Sequence, residues 1–280
     1  MTEPRITPLT ERIGGRVEGL SLDQPLSDQD FDGIRRALLD WKVLVFANQR
    51  LDAASLHGFA RRFGPLQQHV LRKYRHAQFP DLSWLTNVAA DGSVDTFGVK
   101  RATAWHSDGS YSQDPPALGM LYAFEVPSSG GGTLFADMCH ACETLDSADL
   151  ARLEGLTGLH RHGGGPAGEM YDGSLQADQA EGFEDAVHPA ITTHPESGRR
   201  VLYVNSTHTR RFAELEPAES VALIERLMSH ATTPDNVYAH QWSVGDLLIW
   251  DQRSTIHRGA GDYPPTDRRV KLRAIVQSLD

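Results

Sequence analysis

The sequence is poor in cysteine, in long apolar runs and in positive charge. Two cysteines occur in 280 residues, and 27 lysines and arginines stand against 37 aspartates and glutamates. An acidic chain without a basic tail argues against a nucleic-acid partner. No stretch approaches the roughly 18 apolar residues of a membrane-spanning helix, and the N-terminus has no apolar signal-like region. We therefore expect a cytoplasmic protein without a membrane partner.

The two cysteines, Cys139 and Cys142, form a single C-x-x-C pair. With no second pair, a structural zinc site would have to recruit distant histidines, and a redox motif would need a thioredoxin-like context that is absent. We expect free thiols at the start of a helix that follows a strand at 133–137. No repeat or low-complexity segment is present, and the length suits one domain over 1–280.

Short β-prone runs fill most of the chain, with a few helical stripes between them. Phe31, Ile34, Leu38 and Trp41 recur at helical spacing after a helix start at Ser27. Further stripes predict helices near 56–63 and 219–230. Strands are expected at 43–46, 118–124, 133–136, 201–205 and 246–251. The pattern favours a mainly β fold with flanking helices, a double-stranded β-helix or jelly roll.

Two histidines and a carboxylate form a candidate metal site. His106 and Asp108 are two residues apart, which on a strand puts them on one side, and His257 lies far along the chain where a barrel can make it a neighbour. Two imidazoles and one carboxylate on one face of Fe(II) leave open positions for a bidentate co-substrate and for dioxygen. Taken alone, the His-x-Asp pair is equally well explained as a solvated turn.

A basic strand near the C-terminus supports the interpretation of this metal site as that of an iron-dependent oxygenase. Arg269, Lys271 and Arg273 alternate along a β-prone run and therefore share one face. Basic side chains inside a barrel need anions, and a dicarboxylate such as 2-oxoglutarate would supply them, because arginine forms paired hydrogen bonds with carboxylates. The alternative is an exposed edge strand.

At this point the chain resembles the taurine and dichlorophenoxyacetate dioxygenase family of Fe(II)/2-oxoglutarate enzymes. The likeness runs over nearly the whole chain in ordered landmarks: Trp41–Phe46, Gln49, Phe63–Leu66, Trp105–Tyr111, Gly130–Met138, His194–Arg200, Leu202–Asn205 and Trp250–Arg253. The resemblance implies iron ligation by His106, Asp108 and His257. It also implies a small-molecule substrate and leaves open a homo-oligomer.

The same resemblance implies how the co-substrate is held. Thr133 and Arg273 are expected to bind the distal carboxylate of 2-oxoglutarate, and Arg269 matches the position associated with the carboxylate nearer the metal. The resemblance also implies one inserted residue at 264–267 relative to taurine dioxygenase. The choice between the two arginines therefore depends on where that insertion falls.

The expected reaction couples decarboxylation of 2-oxoglutarate by dioxygen to oxidation of a C–H bond. Hydroxylation next to an ether oxygen, sulfonate, amine or phosphonate would release that group, and a small anionic substrate suits an acidic protein with a basic pocket. One alternative keeps the cofactors but gives desaturation, cyclisation or oxidative rearrangement in a biosynthetic pathway. Another is a non-catalytic ligand-binding relative.

Substrate contacts are expected from the resemblance, which places a basic residue at position 72, and from closeness in sequence to the ligand segment. For each basic candidate the alternative is a solvated surface charge. The candidates are Arg72, Asn87, Lys100 and Tyr111. Four other histidines are set aside as ligands because none has a partner at ligand spacing: His69, His160, His162 and His208. Residues 160–188, glycine-rich and then acidic, predict either a lid over the iron or a surface insertion.

Overall fold

The computed structural model describes residues 4–69, 72–166 and 184–279. Strands dominate, as predicted. In chain order they are β1 (Arg5–Pro8), β2 (Gly15–Glu18), β3 (Val43–Phe46), β4 (Leu82–Thr86), β5 (Leu118–Glu125), β6 (Thr133–Asp137), β7 (Thr157–His160), β8 (Ala186–Pro189), β9 (Ile191–Thr193), β10 (Arg200–Leu202), β11 (Thr209–Phe212), β12 (Val237–His240), β13 (Leu247–Asp251), β14 (Thr255–Gly259) and β15 (Val270–Val276).

Five α-helices flank the strands in the described chain. They are α1 (Asp28–Trp41), α2 (Ala53–Arg61), α3 (Met138–Glu143), α4 (Ser147–Leu153) and α5 (Pro217–Ala231), with 3-10 turns at Arg72–Tyr74, Thr96–Lys100 and Pro234–Asn236. Ser27 caps α1 by accepting a hydrogen bond from the Asp30 amide, which confirms the predicted start. Among the described helices, none is long and apolar enough to cross a membrane.

A seven-stranded sheet forms one wall of the fold, in the order β1-β2-β3-β13-β5-β15-β4. The strand predicted at 246–251 lies in this sheet between β3 and β5, and β15 lies between β5 and β4. Helices α1 and α2 cover its outer face, where Ile34, Leu56 and Phe63 are fully buried. The predicted amphipathic stripes are thus core-packing faces.

A three-stranded sheet, β12-β6-β14, faces the large sheet. The two sheets enclose an apolar layer in which Phe135 and Tyr238 of the small sheet meet Leu121, Leu248 and Trp250 of the large one. Two sheets closed over a shared interior, with helices outside, are the predicted double-stranded β-helix. β14 carries His257 and β15 carries Arg273, so both sheets contribute to one interior.

Two buried polar contacts, one of them a lysine–aspartate ion pair, tie the outer layer to this barrel. Lys42, at the end of α1, places its Nζ 3.0 Å from Oδ2 of Asp137, which also caps α3. His194 places Nε2 3.0 Å from Oδ2 of Asp251, at the end of β13. Burial by itself would raise the pKa of Asp251, but hydrogen bonds from His194 and Arg253 outweigh it, and the net pKa lies below its ordinary value.

Several local predictions need adjustment. The strand predicted at 201–205 is only Arg200–Leu202. The segment 160–188, predicted as a lid or a surface insertion, begins and ends in paired strands, because β7 ends at His160 and pairs with β8, which begins at Ala186. Residues 167–183 of that prediction lie outside the described residues. The thiols of Cys139 and Cys142 are free and buried, and burial raises the pKa of Cys139 to about 12.

Candidate active site

The two histidines of the predicted triad are joined through their backbones. The His106 amide donates to the His257 carbonyl at 3.0 Å, and the His257 amide donates back at 2.7 Å. Their ring centroids lie 4.3 Å apart. The His257 ring also contacts Phe135 and Trp250 of the apolar interior, at 5.9 and 5.0 Å. The fold therefore orients both imidazoles toward one point.

Asp108 lies in a turn, not on the strand that the sequence predicted. His106 makes an isolated β-bridge and the chain turns directly after it. Gln252 holds this turn, since its Oε1 accepts from the Asp108 amide at 3.2 Å and its Nε2 donates to Asp108 Oδ2 at 3.2 Å. Sequence reasoning gave Gln252 no role, although it stands in the Trp250–Arg253 landmark.

The site favours an ionised Asp108 carboxylate beside a neutral His257 imidazole. Burial opposes the charged carboxylate, but Arg273, His257 and His106 outweigh it and hold the pKa of Asp108 well below its usual range. Burial and the neighbouring His106 lower the pKa of His257 to about 3. A deprotonated carboxylate and neutral imidazoles are the protonation states that metal ligation requires.

The donor set fits a divalent metal ion. His106 Nε2 lies 3.9 Å from Asp108 Oδ1, and His257 Nε2 lies 4.0 Å from Asp108 Oδ2. The three ligand atoms all lie within 4.8 Å of one another. His106 Nδ1 contacts the Ala104 carbonyl at 2.8 Å, which leaves Nε2 for a metal. Two histidines and one carboxylate are the facial set of non-haem Fe(II) oxygenases.

The two arginines of the basic strand occupy different places relative to the triad. Arg273 Nη1 lies 3.5 Å from Asp108 Oδ2, directly beside the candidate metal ligands. Arg269 lies just before β15, and its backbone amide donates a hydrogen bond to Asn87 Oδ1 at 2.8 Å. The Arg269 Nε is buried and has no hydrogen-bond partner among the described residues. Burial lowers the pKa of Arg269.

Thr133 lies at the interior end of β6, opposite Gly259 of β14. Its Oγ1 accepts a hydrogen bond from Trp242 Nε1 at 2.9 Å. The face of the Trp242 ring supports Lys271, whose Nζ lies 3.5 Å from the ring centroid. Thr133 is therefore connected through Trp242 to Lys271, which lies between Arg269 and Arg273.

A wall of aromatic and imidazole rings stands beside His106. The His208 ring lies 6.2 Å from His106 and 4.9 Å from Tyr111, and His162 lies 4.8 Å from Tyr111. Burial and the nearby carboxylate of Asp108 raise the pKa of Tyr111 to about 12. His162 and His208 were set aside in the search for metal ligands, but the fold makes them neighbours of the triad, which sequence spacing could not reveal.

The remaining substrate candidates lie elsewhere. Arg72 is exposed in a 3-10 turn, and Lys100 is exposed with its Nζ 5.9 Å from the Phe97 ring centroid. Asn87 is buried and uses its amide to hold the backbone at Asp267 and Arg269. These contacts give Asn87 a role in placing Arg269, and they give no support to substrate binding by Arg72 or Lys100.

A jelly roll that gathers two histidines, a carboxylate and buried arginines is the framework of a 2-oxoglutarate-dependent oxygenase, and comparison with known proteins agrees. The family model of the taurine catabolism dioxygenase TauD, TfdA family matches residues 5–275. The chain belongs to this family. It is thus a 2-oxoglutarate-dependent dioxygenase, as the sequence predicted.

Three relatives illustrate the range of the family. The 2,4-dichlorophenoxyacetate dioxygenase of Cupriavidus pinatubonensis is 33% identical, with 95% of each chain covered. The pentalenolactone F synthase of Streptomyces arenae is 31% identical over 98% of this chain and 95% of its own. The crystal structure of AAD-2 with Mn(II) and N-oxalylglycine, an analogue of 2-oxoglutarate, matches with a TM-score of 0.87 and 28% identity over 100% of this chain and 98% of that one.

Proposed function

We propose that His106, Asp108 and His257 hold Fe(II) and that the protein oxidises a C–H bond of a small anionic molecule. The convergence of these three side chains beside Arg273 carries the proposal. When bound, the iron and 2-oxoglutarate supply the oxidising chemistry. The protein's own groups hold both molecules, and the apolar layer around Phe135 and Trp250 keeps water from one side of the site.

The contacts favour exchanging the two arginine roles that the resemblance implied. Arg273 lies beside Asp108, so it suits an anionic group next to the metal. Arg269 has a buried Nε without a partner among the described residues, and it interacts with Tyr263, whose ring lies against Gly131 just before Thr133. It therefore suits the distal carboxylate of 2-oxoglutarate together with Thr133. Arginine binds such carboxylates through paired, charge-assisted hydrogen bonds.

Two 2-oxo acids separate these roles. The Fe(II) protein is titrated without oxygen with 2-oxoglutarate or with 2-oxovalerate, which lacks the distal carboxylate, and the weak visible band of the metal chelate is followed. Arg269→Gln should weaken 2-oxoglutarate binding by roughly 10- to 100-fold and leave 2-oxovalerate unchanged. Arg273→Gln should affect both acids equally. The reverse pattern would restore the original assignment, and no band in iron-loaded wild-type protein would contradict the proposed site.

The substrate class follows from the charge that remains near the triad. Arg273 places a positive charge 3.5 Å from Asp108 Oδ2, so an anion beside Arg273 would be favoured over a cation. Relatives named for dichlorophenoxyacetate and phenoxypropionate dioxygenation, and an alkylsulfatase, act on anionic molecules. For a substrate that carries an ether or sulfate ester on the oxidised carbon, hydroxylation would cleave that bond.

A second reaction outcome, in which the same cofactors give desaturation, cyclisation or oxidative rearrangement instead of hydroxylation, has a specific observation in its favour. The pentalenolactone F synthase of Streptomyces avermitilis is 33% identical over 96% of this chain, as similar as the herbicide dioxygenases. Product analysis under labelled dioxygen separates the outcomes, because hydroxylation inserts one oxygen atom into the product whereas desaturation inserts none. Aryloxyacetates and alkyl sulfates are the first compounds to add, each paired with its neutral amide or alcohol. Equal turnover of the neutral partner would refute the anionic substrate class.

A further inference from the structure

Lys271 is the most unusual buried side chain of the interior. It lies on β15 between Arg269 and Arg273 and is fully buried. Its Nζ has no hydrogen-bond partner among the described residues and rests on the Trp242 ring. Its strand neighbours are Ala123 of β5 and Leu85 of β4, which offer no side-chain acceptor. A lysine held this way costs free energy that a methionine of similar volume would avoid.

The Lys271 Nζ lies in a region where other donors also lack acceptors. The buried Nε of Arg269 and the buried hydroxyl of Tyr263 have no partner among the described residues. Each of these two groups shifts the pKa of the other, so they lie close together. Lys271 in turn lies close enough to Arg269 to feel its charge. Three unpartnered donors around one interior region indicate an acceptor that arrives with a ligand.

We propose that Lys271 is a further co-substrate-binding residue, which donates to the distal carboxylate of 2-oxoglutarate beside Arg269 and takes up one proton when that carboxylate binds. This inference rests on the proposed function. The connection from Lys271 through Trp242 to Thr133 brings the residue to the same end of the interior as the other two groups assigned to that carboxylate. Arg273 keeps the role proposed above, which is to bind an anionic group next to the metal.

The expected uptake of a proton by Lys271 follows from the charged groups around its amine. Burial, followed by the positive charge of Arg269, lowers the pKa of Lys271 well below its ordinary value, and Asp246 opposes this only in part. Asp246 is itself engaged by His240 Nε2 at 3.1 Å and by the Ser243 amide. An incoming carboxylate raises the pKa of the amine, so a proton moves from solvent to Nζ upon binding. Co-substrate affinity should therefore fall as pH rises between the pKa values of the free and bound states.

Calorimetric titration of the full-length Mn(II)-loaded protein tests this without turnover. 2-Oxoglutarate and 2-oxovalerate are titrated between pH 6.5 and 9.5 in buffers of different ionisation enthalpy, which reports the protons taken up. We expect uptake approaching one proton with 2-oxoglutarate and none attributable to Lys271 with 2-oxovalerate. Lys271→Met should abolish that uptake and weaken 2-oxoglutarate by roughly 10- to 100-fold, with 2-oxovalerate unchanged.

The controls separate binding from structure. Lys73→Met removes an exposed lysine that also lies over a ring, 4.9 Å from Tyr74, and should change nothing. Unliganded Lys271→Met should melt at the same temperature as wild type or higher, because an unpartnered buried amine is removed. Lys271→Gln offers a second neutral variant that keeps a donor and should also take up no proton. Unchanged proton uptake in either variant would overturn the inference.

The result also distinguishes this inference from the proposed function. Equal weakening of both acids in Lys271→Met, or a lower melting temperature without ligand, would show a structural role and overturn the inference while leaving the metal site intact. If the wild-type protein loaded with Mn(II) bound neither acid, the proposed function itself would be wrong.

Discussion

Replacing Asp108 by Asn tests the metal site most directly. The change keeps the side-chain volume and removes the one carboxylate of the triad, which lies 3.9–4.0 Å from the two imidazole Nε2 atoms. Loss of groups that merely orient metal ligands costs about 10–100-fold in affinity, so loss of a ligand should cost ~100-fold or more. We expect Asp108→Asn to lose the stabilisation that the metal provides.

The magnitude can be worked out for a thermal assay. Metal at 100 times its Kd stabilises the folded protein by about 2.7 kcal/mol. An unfolding entropy of about 2.1 cal/mol/K per residue is roughly 590 cal/mol/K for 280 residues, so Tm should rise by about 4–5 °C. With a ~100-fold weaker site, the same metal concentration equals Kd and should raise Tm by less than about 1 °C.

The assay compares Tm with and without Mn(II) for each variant. Asp108→Asn also removes the ionic partner of Arg273 at 3.5 Å, so its metal-free Tm should fall as well. The metal-dependent difference is unaffected by that loss. Asp32→Asn, an exposed carboxylate on α1, is the matched control and should keep the full shift. A full shift in Asp108→Asn would remove Asp108 from the ligand set.

Three further predictions concern the framework. Lys42→Ala leaves Asp137 buried without its partner at 3.0 Å and should cost about 3–5 kcal/mol in urea unfolding; a loss below about 1 kcal/mol would contradict the assigned pair. Gly119→Ala places Cβ 2.3 Å from the Trp250 ring that contacts His257, so it should lower the free energy of unfolding by about 1–3 kcal/mol and weaken Mn(II) binding. Gly58→Ala is the control, because its Cβ meets nothing within 4 Å, and it should have neither effect. Because the folded pKa of Asp251 is depressed, its contribution to the free energy of unfolding is present above the unfolded pKa and is lost as pH falls through the folded pKa. His194→Ala should reduce this acid sensitivity, because it removes a hydrogen bond to Asp251. An unchanged pH profile of the unfolding free energy would refute the linkage.

Local sequence signals predicted most of the elements. The stripe Phe31, Ile34 and Leu38 after Ser27 predicted α1 because helix periodicity and capping are properties of neighbouring residues. The apolar run before Asp251 likewise predicted β13. The position of Asp108 was predicted less well, since a His-x-Asp pair reads the same on a strand and in a turn. Only the contacts of Gln252 with that turn distinguish the two.

The residues proposed as the triad could be selected from the sequence, because the chemistry of two imidazoles and a carboxylate depends on residue type and because the resemblance to the dioxygenase family pointed to the same three positions. The structure brings their ligand atoms within 4.8 Å of one another. The sequence could not decide which way the side chains point in the interior or how far apart they lie. The register of β15 puts Arg273 beside Asp108, and Arg269 on the far side of Lys271. Likewise, His208 reaches His106 through the contact of two segments distant in sequence, in which the Thr207 amide donates to the Trp105 carbonyl. These placements depend on long-range packing, which no local pattern encodes.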